Sequence, residues 1–361
     1  MNIFMRFVMG FVAWFLITGL LQAGQLEKMV VCVPVADLRN GMQALRADVG
    51  VPAFFNDMQG QLSQLLMGEC ILAEQAKDGW LRVVALEQKM WVKNQFYSFT
   101  GYIQAHQAVA VKAFPSYNCA VSAPWAPVFH QKKRLLELSF GTKLVASKIS
   151  DEWCKVTLPT GQIGYMRTAD ICFAEKLAKQ PKKLNSMVTA LAQRFVGSPY
   201  VWGGRSAYAS ANKNQITSID CSSLVNLVFQ AIGLRVPRNS LSQFEISERV
   251  ACGKDLVPGD LLFFAPSMQE VSTISHVGIY LGNGKFVEAS GFGGPEAPQE
   301  SLRTRISLVQ DITGEPIYRL RNGQQCVGGQ RRKEYIFFGS LLRNKKLVQK
   351  LRDSSLNPHD K

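Results

Sequence analysis

The amino-acid sequence predicts an α+β fold, in which two small β units precede a domain of helices packed on an antiparallel sheet. Between Val30 and Phe173, short apolar stretches alternate with turn residues, a pattern typical of short strands. From Ser186 onward, two runs with the apolar spacing of helices come before a group of strand-like stretches. Helices followed by neighbouring strands indicate an α+β domain.

The first half of the chain contains a repeated pattern of strands. In each copy a strand beginning near a tryptophan, Trp80 or Trp153, precedes a strand that contains Gly-Tyr, at Gly101 or Gly164. We interpret residues 28–113 and 114–174 as two small β-barrels in tandem. Residues 175–184 are charged and contain a proline, which is typical of a linker.

Residues 185–340 are predicted to form the α+β domain, and residues 341–361 a basic polar tail. Ser186 is expected to cap a first helix that ends before Gly197. After a second helix, a strand is predicted within residues 256–264, followed by a β-hairpin of residues 275–281 and 285–289. One or two further strands are expected near residues 316–320 and 335–338.

The amino terminus predicts export. In residues 1–23, Arg6 precedes an uncharged apolar run that is too short to span a bilayer comfortably and ends in Leu-Gln-Ala. This pattern is typical of a cleaved signal peptide, and a retained membrane anchor is the alternative. We therefore expect a protein of the periplasm or cell envelope, without stable membrane insertion once the signal is removed.

Charge and cysteine usage exclude some classes of function. The net charge of +14 comes without a nucleic-acid-binding motif, so no nucleic-acid partner is predicted. The eight cysteines are scattered and form no CxxC pair, so a zinc site is not expected. The cysteine chemistry considered below implies no metal or organic cofactor. An oxidising compartment would permit disulfides, whose pairing the sequence leaves open.

Cys221 is the candidate nucleophile. Asp220 is a good N-cap, and apolar residues recur with helical spacing from Leu224 until Gly233, so Cys221 falls in the first turn of a helix. The unpaired N–H groups and the positive end of the helix dipole at this position favour a thiolate.

His276 is the candidate base, because it alone of the four histidines lies in the second half beside an apolar strand. Glu288, on the return strand of the hairpin, is the candidate that orients it. A two-residue loop at Asn283 and Gly284 would place Glu288 on the opposite face of the sheet from His276. A three-residue loop, residues 282–284, would place both on one face, and we predict this loop.

Several motifs resemble those of the NlpC family of bacterial cell-wall endopeptidases, in the family's order. They are Gly-Ser-Pro-Tyr-Val-Trp-Gly-Gly from Gly197, Asp-Cys-Ser-Ser-Leu-Val from Asp220, Val-Pro-Arg from Val236, Val-Pro-Gly-Asp-Leu-Leu-Phe-Phe from Val257, and His-Val-Gly-Ile-Tyr-Leu-Gly from His276. The resemblance implies a papain-like cysteine peptidase that cuts peptidoglycan stem peptides or muropeptides. The tandem β units resemble bacterial SH3-like domains, as in the γ-D-glutamyl-diamino-acid endopeptidase branch.

The resemblance also assigns residues. It implies Cys221 as nucleophile and His276 as base, with Tyr200, Asp220 and Ser222 lining the substrate cleft. Two positions depart from the family pattern.

Glu288 stands where the family most often has a second histidine, and a carboxylate can accept the imidazole N–H in its place. Asn239, followed by Ser240, stands where the endopeptidase branch has an aspartate, and we take both residues as further substrate-binding candidates. Two alternatives remain open: a non-catalytic peptidoglycan-binding protein, and an amidase or acyltransferase on the same scaffold.

Overall fold

A computed structural model of this chain describes residues 26–42, 60–92, 95–173, 183–209, 216–268, 273–291, 301–343, 345 and 348–349. The predicted signal peptide lies outside these residues, as do nearly all of the predicted linker and most of the predicted tail. Within the part of the chain that the structure describes, no helix is long and apolar enough to cross a membrane.

The first half folds into two antiparallel sheets with the same topology. The strands of the first sheet are β1 Glu27–Val31, β2 Val35–Arg39, β3 Gln61–Leu66, β4 Cys70–Gln75, β5 Trp80–Val92, β6 Gln95–Gln104 and β7 Ala108–Ala110. Those of the second are β8 Cys119–Val121, β9 Trp125–His130, β10 Lys133–Ser139, β11 Lys143–Lys148, β12 Trp153–Thr157, β13 Ile163–Arg167 and β14 Ile171–Phe173. The strand orders, β3-β2-β6-β5-β4-β1-β7 and β10-β9-β13-β12-β11-β8-β14, are identical position by position, so the predicted repeat is confirmed.

The repeated Gly-Tyr motif has the same packing role in both sheets. A side chain at Gly101 would overlap the carbonyl oxygen of Arg39 on β2, and one at Gly164 would overlap Val128 on β9. Each glycine therefore lets β6 or β13 approach the strand beside it closely.

The second half is an α+β domain, as predicted. Its helices are α1 Leu184–Gln193, α2 Cys221–Ala231, α3 Ser240–Ile246 and α4 Val309–Thr313. Its strands are β15 Glu248–Arg249, β16 Leu261–Ala265, β17 His276–Gly282, β18 Lys285–Ala289, β19 Thr304–Leu308, β20 Gln324–Gln325 and β21 Tyr335–Ser340. The sheet is antiparallel in the order β15-β21-β16-β17-β18-β19, and β20 pairs with β21.

Some predicted boundaries in this domain are wrong. Helix α1 begins at Leu184 and not after Ser186, whose hydroxyl donates to the Lys183 carbonyl inside the first turn. Residues 316–320 form no strand, because Pro316 leads into a 3-10 turn at Ile317–Arg319. Strand β19 and helix α3 were not predicted.

The domain core lies between helices α1 and α2 and one face of the sheet. Leu224 and Val228 of α2 belong to the same buried cluster as Val277 of β17. This cluster also includes Leu66 and Phe140 from the first and second sheets. The α+β domain and the two β units therefore share buried surface.

A buried ion pair joins the first sheet to the α+β domain. Arg205 contacts Glu69, and it also donates to Asn226 Oδ1 (2.6 Å) and Gln230 Oε1 (2.9 Å) on α2. The Arg205 side chain has no exposed surface, so its charge depends on these partners.

Replacing Arg205 with methionine is therefore expected to lower the free energy of unfolding by about 3–5 kcal/mol, because Glu69 is left charged and buried. Arg82→Met is a matched control, since Arg82 pairs with Glu74 at 3.0 Å but is 36% exposed. The control should cost less than about 1 kcal/mol. Equal losses in urea denaturation would contradict this account of the interface.

Candidate active site

Helix α2 begins at the candidate nucleophile, as the sequence predicts. Asp220 is the N-cap, and its Oδ1 accepts the N–H of Ser223 at 2.8 Å while the Ser223 hydroxyl accepts the N–H of Asp220 at 2.8 Å. This reciprocal cap fixes the start of the helix. Cys221 therefore stands in the first turn, beside N–H groups that have no partner within the helix.

The Asp220 carboxylate is also held from outside the helix. Arg238 donates to both of its oxygens, at 2.9 Å to Oδ1 and 2.6 Å to Oδ2. The N–H of Gly203 donates to Oδ2 at 3.1 Å, and Gly203 has a φ of +72°, in the left-handed region that favours glycine. Arg238 was not among the predicted site residues, although it stands in the Val-Pro-Arg motif.

The hairpin of β17 and β18 brings the candidate base and Glu288 together. Ile279 pairs with Val287, a register that places Gly278 opposite Glu288. Glu288 and His276 are therefore diagonal neighbours on one face of the sheet, as predicted.

The predicted three-residue loop is wrong in form. The turn has two residues, Asn283 and Gly284, with φ of 51° and 70°, which is the turn that Asn-Gly favours. A bulge at Leu281 supplies the extra residue that puts Glu288 on the predicted face.

His276 and Glu288 share a buried hydrogen bond, with Nε2 of the imidazole 2.6 Å from Oε2 of the carboxylate. Burial alone would raise the pKa of Glu288. The hydrogen bond and charge of His276, the charge of Arg331 and the hydrogen bond of Ser307 outweigh burial, and the pKa of Glu288 is lowered to about 2. An ionised carboxylate can only accept, so the proton of this bond belongs to Nε2. Nδ1 is then the ring nitrogen that can accept a proton.

The imidazole is neutral near pH 7. Burial and the guanidinium of Arg331 lower the pKa of His276, and Glu288 opposes this only in part. A neutral ring can act as a general base.

The thiol of Cys221 lies against the start of β17. The backbone of Val277, the residue after His276, and that of Ser222 favour the thiolate. Burial and the Asp220 carboxylate raise the pKa of Cys221 to about 12. The prediction of a thiolate is therefore wrong. Burial and the negative charge of the Asp220 N-cap raise the pKa of the thiol more than the positive end of the helix dipole lowers it.

Asp220 and Ser222 flank Cys221 in the chain, and Tyr200 belongs to the same buried cluster as Cys221. Burial raises the pKa of the Tyr200 phenol, and the Asp220 carboxylate adds to this effect. The Ser222 hydroxyl donates to Asp220 Oδ1 at 3.1 Å and accepts from Arg238 at 3.0 Å.

Asn239 and Ser240 lie at the start of α3. Asn239 is the N-cap, and its Oδ1 accepts the N–H of Ser242 at 3.1 Å. The Ser240 hydroxyl donates to the carbonyl of Ile274 at 3.3 Å, two residues before His276. Ser240 therefore contacts the segment that carries the candidate base.

Three residues that lie close to Glu288 or His276 were not predicted from the sequence. Ser307 and Arg305 of β19 hydrogen-bond its Oε1 at 2.7 and 3.2 Å, and Arg331 lies near His276. Strand β19 was not recognised because its buried positions include Thr304 and Ser307 while its apolar residues Ile306 and Leu308 are exposed. The sequence gives no signal for this inverted burial, which depends on the partner strand.

All eight cysteines are described, and each is a free thiol. Five are buried, among them Cys221, and Cys32, Cys172 and Cys252 are partly exposed.

A thiol at the start of a helix that packs on the strand carrying an imidazole, on an α+β scaffold, is the arrangement found in cysteine peptidases. Residues 197–305 match the NlpC/P60 family, and residues 121–173 match the YkfC SH3b2 domain. Residues 197–305 of this chain are thus similar to the NlpC/P60 family, and they follow a segment that is similar to an SH3b domain.

Two curated relatives come from Bacillus subtilis strain 168. A gamma-D-glutamyl-L-lysine dipeptidyl-peptidase is 27% identical over 233 residues, covering 64% of this chain and 73% of the relative. A gamma-DL-glutamyl hydrolase is 36% identical over 118 residues, covering 32% of this chain. The chain spans 26% of the length of that hydrolase.

Solved structures share the fold. An NlpC/P60 family protein from Bacillus cereus ATCC 10987 aligns with a TM-score of 0.62 at 22% identity, covering 78% of this chain and 94% of that one. An NlpC/P60 endopeptidase from Photobacterium damselae subsp. piscicida aligns with a TM-score of 0.53 at 16% identity, covering 87% and 73%.

Proposed function

We propose that this chain is a cysteine endopeptidase that hydrolyses peptidoglycan stem peptides at the γ-D-glutamyl–diaminopimelate bond. The observation that carries the proposal is the buried 2.6 Å bond from His276 Nε2 to Glu288 Oε2, in the hairpin against which the helix of Cys221 packs. This arrangement leaves His276 Nδ1 available as a base for the thiol of Cys221.

In the first step Nδ1 of His276 takes the thiol proton as the sulfur of Cys221 attacks the glutamyl carbonyl. Because the thiol and the imidazole both start neutral, this step creates charge inside a buried site. Glu288 stabilises the imidazolium that forms, and the N–H of Cys221 at the helix end can donate to the oxyanion.

The tetrahedral intermediate then collapses. The imidazolium gives its proton to the amine of the departing diamino acid, the C–N bond breaks, and a thioester to Cys221 remains. His276, neutral again, takes a proton from water, whose oxygen attacks the thioester. The C–S bond then breaks, the imidazolium returns the proton to the sulfur of Cys221, and the glutamyl carboxylic acid is released and ionises in water.

The choice of bond is supported by the relatives, whose names specify a γ-glutamyl group. The second β unit supports a cell-wall substrate through its match to the YkfC SH3b2 domain. The apolar segment of residues 1–23 supports export to the periplasm or cell envelope, where peptidoglycan or muropeptides would be met.

Mass spectrometry of a purified muropeptide mixture, before and after incubation with the protein, tests this function. The expected products are fragments that end in D-glutamate and fragments that begin with the diamino acid, whether diaminopimelate or lysine. Cleavage between the sugar and L-alanine, or an unchanged mixture, would overturn the proposal.

Asn239→Asp tests the substrate's amino terminus. The resemblance places an aspartate here to attract the ammonium of a free N-terminal L-alanine, and Asn239 supplies only a neutral amide. Aspartate can keep the α3 cap while adding a charge, so the ratio of kcat/KM on free L-Ala-γ-D-Glu-diaminopimelate to that on the disaccharide-linked form should rise about 5- to 30-fold.

The matched control is Asn283→Asp, which adds the same charge at the hairpin turn. Asn283 follows the last residue of β17, whereas His276 is the first residue of that strand. It should leave the ratio unchanged. A parent that cuts only the free tripeptide would contradict this interpretation of Asn239.

A further inference from the structure

Glu288 is a buried carboxylate with a different set of partners on each oxygen. Oε2 accepts from His276, and Oε1 accepts from the hydroxyl of Ser307 at 2.7 Å and from Nε of Arg305 at 3.2 Å. Glu288 itself has no exposed surface. A buried anion of this kind is stable only when such donors compensate its loss of water.

The register of the sheet produces this arrangement. Strand β19 pairs with β18 so that Arg305 lies directly opposite Glu288, and Ser307 lies two residues further along on the same face. Arg305 is also held from its other side, because its Nη2 donates to Oε1 of Gln330 at 3.0 Å.

Ser307 has a polar side chain at a buried position of an edge strand whose neighbours Ile306 and Leu308 are exposed. Its hydroxyl donates to Glu288, and this bond accounts for a serine at that position. The hydroxyl fixes one oxygen of the carboxylate, so the other stays directed at Nε2 of His276.

We propose that Ser307 and Arg305 are positioning residues of the active site, which act through Glu288 to hold the imidazole in its productive tautomer and orientation. This inference rests on the proposed function for its link to turnover. Its link to the reactivity of Cys221 can be measured without a substrate.

A double-mutant cycle on Ser307 and Glu288 tests the inference. Ser307→Ala should lower kcat on the tripeptide about tenfold with KM nearly unchanged, because it removes a hydrogen bond to a charged group. In a Glu288→Gln background the same change should alter kcat less than about twofold, since the charge that it positions is already lost. Arg305→Lys, which keeps the charge but loses the Nε donor, should show the same dependence on Glu288.

The rate of alkylation of Cys221 by iodoacetamide, followed by peptide mapping, gives a readout that does not depend on the substrate. Ser307→Ala should slow it in the parent and not in the Glu288→Gln variant. Ile306→Ala is the matched control on the same strand, and its exposed side chain predicts no change in either rate.

Additive effects of Ser307→Ala and Glu288→Gln on both readouts would overturn the inference, because the serine would then act independently of the carboxylate. Failure of the proposed function would look different. The parent would not cut the tripeptide, while the alkylation rates would still follow the cycle. Thermal unfolding of each variant separates loss of fold from loss of positioning.

Discussion

Cys221→Ala is expected to lower kcat/KM on the free tripeptide by at least about 10⁴-fold, because the covalent route is lost with its nucleophile. The fold should survive, since the substitution removes one sulfur atom at a helix start whose cap is made by Asp220, Ser223 and Arg238. The measurement is product release under conditions where the melting temperature of the variant matches that of the parent.

Cys32→Ala is the control for this prediction. Cys32 is a partly exposed free thiol in the loop after β1, and its loss should leave turnover unchanged. If a well-folded Cys221→Ala protein keeps the activity of the parent, Cys221 is not the nucleophile.

Glu288→Gln should reduce kcat by about 10²- to 10⁴-fold with a much smaller change in KM. An amide oxygen can still accept the N–H of His276, so the ring can keep its place. The amide carries no charge, however, and the imidazolium formed during attack loses its counter-ion.

The same substitution has a predicted direction on the pH profile. Burial and Arg331 lower the pKa of His276, so the acid limb of kcat/KM in the parent should lie below the ordinary imidazole pKa of about 6.5. Glu288 favours the charged ring, so its removal should lower that pKa further and move the acid limb to lower pH. A shift to higher pH, or a profile and kcat equal to those of the parent, would show that Glu288 does not support the base.

The sequence predicts the elements of the site better than their electrostatics. The cap at Asp220 follows from local rules of helix starts. The face of Glu288 depends on the bulge at Leu281, which the strand alternation does not signal. The ionisation of Cys221 does not follow from local rules either, because it depends on burial and on the whole environment of the thiol, which local pattern does not reveal.

The hydrogen bonds that Ser307 and Arg305 donate to Glu288 could not be predicted for a related reason. Strand β19 buries serine and threonine and exposes isoleucine and leucine, opposite to the alternation that identifies a half-buried strand. Its polar side faces a carboxylate that is itself buried. Such a strand becomes recognisable only once its partner strand is known. Here the partners are distant in the chain, because Glu288 and the opposite residue Arg305 are separated by 17 positions.

The central claim, that Cys221 attacks a γ-D-glutamyl carbonyl, is tested most directly by a substrate-shaped electrophile. L-alanyl-D-glutamate carrying a chloromethyl ketone in place of the γ-amide would present its reactive carbon to the nucleophile of the site. Peptide mapping by mass spectrometry should find one adduct, on Cys221, with tripeptide hydrolysis lost in proportion to labelling. Equal labelling of Cys32 or Cys252, or hydrolysis that continues after Cys221 is fully modified, would contradict the account.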